Sequence, residues 1–130
     1  MSASQTDEFQ KKVSSLLVRN SNILDILTKC QISCGKLCRS TVKSATGCGC
    51  VDISGEKSLS AFSLSKDFDA KEASGMNGSL CGACKSRVEN EIGEMLFYIA
   101  GMCNARGLNM NDIMKKEIKN VEVLGKYSLK

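Results

Sequence analysis

Apolar residues recur along this chain in four runs with helical spacing. Phe9, Val13, Leu16 and Leu17 step by three and four and predict a short helix beginning near Thr6. The Asn20-Ser21-Asn22 cluster breaks that run, and Asn22 with Asp25 forms a helix-capping pattern. A longer helix is predicted from about Ile23 to Ala45, with Gly47 as its end. Ile23, Ile26, Leu27, Cys30, Cys34, Leu37 and Val42 lie along one side of it. The third and clearest helix runs from about Cys84 to Arg106. Its apolar face is Val88, Ile92, Met95, Leu96, Ile99, Met102 and Cys103, and Gly107 closes it. The fourth starts at Asn109, which caps the open backbone amides, with Asp112 in the first turn where negative charge is favoured. Met110, Ile113, Met114, Ile118, Val121 and Leu124 supply its apolar face, and Gly125 is the expected stop.

Between the second and third helices, Val51 to Leu80 is rich in Ser, Gly, Lys and Asp and carries little periodicity. A structureless loop of that length is unusual inside a compact domain, so its ends are expected to be tied down. The pattern predicts an all-α domain over residues 1–130, with 51–80 as an insertion. A chain of 130 residues suits one modest core rather than two.

Composition narrows the chemistry. There are 8 cysteines and no histidine. Ser-His and Cys-His catalysis and histidine metal ligands are therefore excluded. The first twenty residues lack a basic start followed by an apolar stretch, and no run approaches the roughly eighteen apolar residues of a membrane span. The protein is expected in the cytoplasm, away from membranes, where thiols stay reduced. There, cysteines serve as ligands or small buried hydrophobes more often than as disulfides.

The net charge is +4, and the basic residues cluster. Lys11, Lys12, Arg19, Lys29, Lys36, Arg39 and Lys43 all fall within residues 11–43, against the single acid Asp25. Lys29, Lys36 and Lys43 are spaced by seven and so nearly aligned, which suits a phosphate-bearing ligand. A solvated helix face explains the same stripe. Nucleic acid is not the expected partner, because 2 tyrosines and 4 phenylalanines make a poor stacking platform.

The cysteines form two close pairs around the insertion, Cys48-Gly49-Cys50 before it and Cys81-Gly82-Ala83-Cys84 after it. Four thiolates in two pairs suit a tetrahedral Zn²⁺ site, with Zn–S near ~2.3 Å. Such a site would staple the base of the loop. All four positions being cysteine, it is closed and reads as structural rather than catalytic. The same four sulfurs would also take iron or an iron–sulfur cluster, and Cys81 with Cys84 would make a redox pair. Cys30, Cys34 and Cys38 step by four along one helical side. With Cys103 they read as small buried hydrophobes, or, as the sharper alternative, as a second metal site.

The third helix also carries acids. Glu91 and Glu94, three apart, share a side and form a natural Mg²⁺ platform when placed inside a helical bundle. An exposed acidic face is the plainer reading. The stretch Glu91-Ile92-Gly93-Glu94-Met95-Leu96-Phe97-Tyr98-Ile99-Ala100, followed by Gly107-Leu108-Asn109-Met110-Asn111-Asp112-Ile113, resembles the second half of the MazG-type all-α nucleotide pyrophosphohydrolases. In that family an E-x-G-D-x-L helix precedes a G-L-x-L-x-D-I helix start. The match covers about residues 84–124.

The resemblance implies an antiparallel four-helix bundle that assembles as a homo-oligomer, often a dimer. It also implies Mg²⁺-dependent cleavage of nucleoside triphosphates to monophosphate and pyrophosphate. Glu91 and Glu94 would take metal-ligand positions. The family's earlier helix carries E-x-G-E-L, where this chain has Ser33-Cys34-Gly35-Lys36-Leu37. Both acids are gone and one position is a lysine, whose charge would satisfy Glu91 or Glu94 without Mg²⁺. The expectation is therefore a degenerate relative with a structural zinc, working as a binding or regulatory protein. An active enzyme holding Mg²⁺ through Glu89, Glu91, Glu94 and Asp112, and a thiol-based metal or redox sensor, are the alternatives.

Overall fold

The computed structural model describes residues 4–17, 22–53 and 76–128. Four α-helices dominate these residues: α1 (Gln5–Leu16), α2 (Ile23–Lys43), α3 (Gly82–Ala105) and α4 (Met110–Ser128). A π-helical turn, Ser44–Cys48, follows α2. Two short strands, β1 (Val51–Ile53) and β2 (Met76–Gly78), pair antiparallel with Val51 opposite Gly78, Asp52 opposite Asn77 and Ile53 opposite Met76. The expected insertion thus opens with β1 and returns through β2, and the residues between them, 54–75, lie outside the described residues.

The chain divides into two compact units, Met1–Ile32 with Glu94–Lys130, and Ser33–Gly93. The first packs around Val13, Ala100, Cys103 and Met110, with Phe9, Leu17, Phe97 and Ile99 against them. Its helix ends are made by local chemistry. Ser4 caps α1 through the Asp7 amide at 3.1 Å, and the Asn109 side chain caps α4 through the Asp112 amide at 2.9 Å. At the end of α3, Gly107 adopts φ 68° and the Leu108 amide returns to the Cys103 carbonyl at 2.8 Å. A polar bolt joins these pieces. Gln10, almost fully buried, donates to Asn104 Oδ1 (2.9 Å) and to the Leu108 carbonyl (2.7 Å), and accepts from the Met110 amide (2.8 Å).

The second unit has a different interior. Its buried described residues are Ser33, Ser40, Ser44, Val51 and Cys84. Two of the five are apolar, which is little hydrophobic driving force for folding.

Three expectations need correction. The buried line of α2 is Ile26, Ser33 and Ser40, continued by Ser44 in the π turn, and Cys34 and Cys38 are exposed. They are not buried hydrophobes, because a serine-lined side faces inward and carries the cysteine stripe around to solvent. Cys103 is buried as expected, and Cys30 is half-buried. Helix α2 does not end at Gly47. It widens into the π turn, which Gly49 closes with φ 83° and an amide bond to the Ser44 carbonyl at 2.8 Å. Gly125 does not stop α4, which continues to Ser128, since this glycine does not take the left-handed conformation that ends a helix.

Candidate metal centre

Three local features of the second unit aim four thiols at one point. The π turn admits an extra residue per turn, and its carbonyl at Ser44 accepts from both the Gly49 amide and the Cys50 thiol, the latter at 3.7 Å. Cys48 and Cys50 are thereby turned to the same side. The β1–β2 ladder then returns the chain beside them. Cys81 precedes α3 as its cap, with its carbonyl bonded to the Lys85 amide at 2.8 Å, and Cys84 sits in the first helical turn.

Gly78 makes the return tight. Its φ is 90°, and a Cβ there would meet the Cys50 carbonyl oxygen at 2.9 Å and the Val51 Cα at 3.5 Å. Both obstacles are backbone and cannot swing away. Gly78→Ala is therefore expected to cost about 1–3 kcal/mol and to weaken metal binding along with it. Thermal melts with and without metal measure both effects.

The sulfurs of Cys48, Cys50, Cys81 and Cys84 all lie within 4.8 Å of one another. Among the described residues they are the one such group of three or more metal-ligating side chains. Cys48 Sγ and Cys81 Sγ are 3.8 Å apart. A tetrahedron with metal–sulfur bonds of about 2.3 Å has sulfur–sulfur edges of about 3.8 Å. A disulfide would bring the pair to about 2.05 Å, and all four cysteines are free thiols. The four residues fit a tetrahedral metal ion.

Their protonation is uneven. The Cys84 amide, donating to the Cys81 sulfur at the start of α3, together with the thiols of Cys84 and Cys48, lowers Cys81 to about 7. Cys48 is pushed up, chiefly by its hydrogen bond with Cys81. For Cys84 the Ser44 hydroxyl favours the thiolate, but Cys81 and burial outweigh it and push Cys84 up to about 12. Protons and metal compete for these sulfurs. Above pH 7 Cys81 is already a thiolate, whereas below it a further proton must leave. Metal affinity is expected to fall with decreasing pH and to fall more steeply once the pH drops below about 7. Competition titrations with a chromophoric chelator across pH 6–8 check the change in slope, and an affinity indifferent to pH would exclude thiolate ligation.

The other candidate residues are placed as follows. Glu91 is half-buried on α3, and its Oε2 is buried with no hydrogen-bond partner. Glu94 is half-buried one turn on. Glu89 is exposed and faces Lys85 at 4.0 Å. Asp112 is exposed in the first turn of α4. Lys29 pairs with Asp25 at 3.2 Å, so its charge is offset locally, and Lys36 and Lys43 are exposed further along α2. Sequence reasoning missed the unpartnered, fully buried Ser33 hydroxyl, because a serine inside a helical run carries no apolar signal.

No helix among the described residues is long and apolar enough to cross a membrane. No family model matches the chain, and no curated protein or solved structure does so either.

Proposed function

We propose that this chain is a MazG-like antiparallel four-helix protein of the cytoplasm, stapled by one structural zinc on Cys48, Cys50, Cys81 and Cys84, and that it binds or regulates rather than catalyses. The carrying observation is the cluster of four sulfurs in a unit that buries little apolar surface among its described residues. When bound, zinc supplies cross-linking energy that the interior lacks. The lost acids favour a non-catalytic role. Ser33 and Lys36 stand where the family resemblance expects two of them, and they offer a hydroxyl and a cation to a site that needs carboxylates. A phosphate-bearing ligand would suit the basic stripe of Lys29, Lys36 and Lys43 along α2.

Elemental analysis of protein purified without added metal tests the first part. One zinc per chain is expected, absent in Cys48→Ser. Iron with visible absorption would replace zinc in the reading, and metal that leaves reversibly from a fully folded chain would favour a sensor.

A second reading draws on Glu91. A buried carboxylate oxygen without a partner is costly, and a bound Mg²⁺ would satisfy it. In that case the protein hydrolyses nucleoside triphosphates to monophosphate and pyrophosphate. A nucleotide panel with Mg²⁺ decides between the two. Turnover lost in Glu91→Gln would establish the enzyme, and no turnover on any nucleotide would leave the binding role.

A further inference from the structure

Helix α2 exposes two thiols that neither the four-cysteine cluster nor a hydrophobic interior uses. Cys34 and Cys38 are free, exposed and four residues apart, and neither sulfur has a hydrogen-bond partner among the described residues. Cysteine is among the residue types most often buried, so an exposed pair on one helix asks for a reason. Cys30, one turn earlier, is half-buried, and Cys103 is buried in the core of the first unit. Neither joins the pair in a closer group of three, so the site has two sulfurs of its own.

Charge is kept away from this pair. At about 100° per residue, Cys34 and Cys38 stand about 40° apart around the helix axis. Leu27, Gln31, Thr41 and Val42 lie on the same side, within about 60° of the line between the two thiols. Every charged residue of α2, namely Asp25, Lys29, Lys36, Arg39 and Lys43, lies about 120° or more from that line. The helix therefore offers two soft sulfurs, with no carboxylate of its own beside them.

Spacing decides what the two thiols can do. Residues i and i+4 of an α-helix hold their Cβ atoms about 5–6 Å apart. A disulfide needs about 3.5–4.5 Å, so the pair cannot bond directly while the helix stays wound. Two sulfurs on opposite sides of one metal ion stand about two metal–sulfur bonds apart, roughly 4–5 Å. Ordinary helical rotamers reach that separation. The ion must accept two ligands. Zn²⁺ in a structural site takes four, and Mg²⁺ and Ca²⁺ take oxygen. Cu(I) is selected by soft thiolates and is satisfied by two of them.

We propose that Cys34 and Cys38 form a second metal site, which holds one Cu(I) between two thiolates. Each thiol gives its proton to solvent as it binds, so the bound group carries a single negative charge that no acid of α2 opposes. Its exposure lets a soluble thiol deliver or remove the ion by ligand exchange. The site rests on neither the zinc nor the nucleotide reading.

Anaerobic titration of the full, metal-loaded chain with Cu(I), buffered by a chromophoric Cu(I) chelator, tests it. Elemental analysis of the same samples follows the metal of the four-cysteine cluster. The first equivalent of Cu(I) is expected to bind with the cluster metal retained, and copper X-ray absorption to show two sulfur neighbours. Cys34→Ser and Cys38→Ser are each expected to lose that equivalent, with unchanged melts because both side chains are exposed. The variant C38S/R39C keeps two exposed thiols but sets them about 140° apart, and is expected to lose it as well. Copper retained in Cys34→Ser, or a first equivalent that expels the cluster metal, would overturn the proposal by placing the ion on the other four sulfurs. Three or four sulfur neighbours would do the same. Full binding by C38S/R39C would overturn it too, because any two surface thiols would then serve.

Discussion

Cys84→Ser is expected to abolish metal binding and lower the melting temperature more than any other single change in the second unit. Cys84 is the buried member of the four sulfurs and sits in the first turn of α3, where the helix itself fixes its position. Serine keeps the volume but offers a hydroxyl that holds its proton, so three ligands remain for an ion that wants four. Structural zinc in small modules contributes roughly 10–16 kcal/mol of apparent binding energy at neutral pH, nearly all of it realised as folding. Some of that is offset here by whatever packing the metal-free unit keeps, so the expected loss is several kcal/mol. A strong chelator should reproduce the loss in wild type and have no further effect on Cys84→Ser. That non-additivity separates loss of the ion from ordinary damage to packing. A wild type whose melt ignores the chelator would show that the staple is not structural.

The second large effect is expected at Gln10, a residue that touches no candidate chemistry. Its amide spans α1, the α3–α4 turn and the start of α4 with three hydrogen bonds of 2.7–2.9 Å. Gln10→Leu would be nearly isosteric, yet it strands the Met110 amide and the Leu108 carbonyl inside the first unit. Each unsatisfied buried group costs about 1–3 kcal/mol. The sum is expected to lower the melting temperature by about 10 °C or more, scaling from typical domain entropies. Gln10→Glu keeps an acceptor for Met110 and loses the donor to Leu108, so it should fall between the two. Equal stability of Gln10→Leu and wild type would mean that water replaces the lost partners without penalty.

These two residues also mark how far a one-dimensional reading reaches. The thiol pairs were legible because metal ligation by cysteine leaves a spacing signature, and the structure brings the four sulfurs together. Gln10 was not legible. It interrupts the run from Phe9 to Val13 as an ordinary polar residue, and its partners Asn104, Leu108 and Met110 lie nearly a hundred positions away. The serine side of α2 was hidden for a related reason. Ser33, Ser40 and Ser44 have helical spacing but no hydrophobicity, so periodicity favoured the cysteines beside them. The strands β1 and β2 are three residues each, too short for alternation to stand out. Residue type alone makes Gly47 and Gly125 look like stops, whereas the left-handed turns that close the π turn and α3 fall at Gly49 and Gly107, and α1 ends at Leu17 without one.

By itself, the order of residues determined what depends on near neighbours: the four helices, the caps at Asn22, Asn109 and Gly107, and the two thiol pairs flanking the insertion. Those features follow from hydrogen bonds and spacings within a turn or two of one residue, and such energies add up locally. Tertiary structure alone decided which side of α2 is buried, that the insertion's ends pair as strands, and that Gln10 holds the first unit together. It also left the far half of α4 bare. Each of these is a competition between distant groups for the same interior space or the same hydrogen-bond partner, and its winner is set only when the chain has closed on itself.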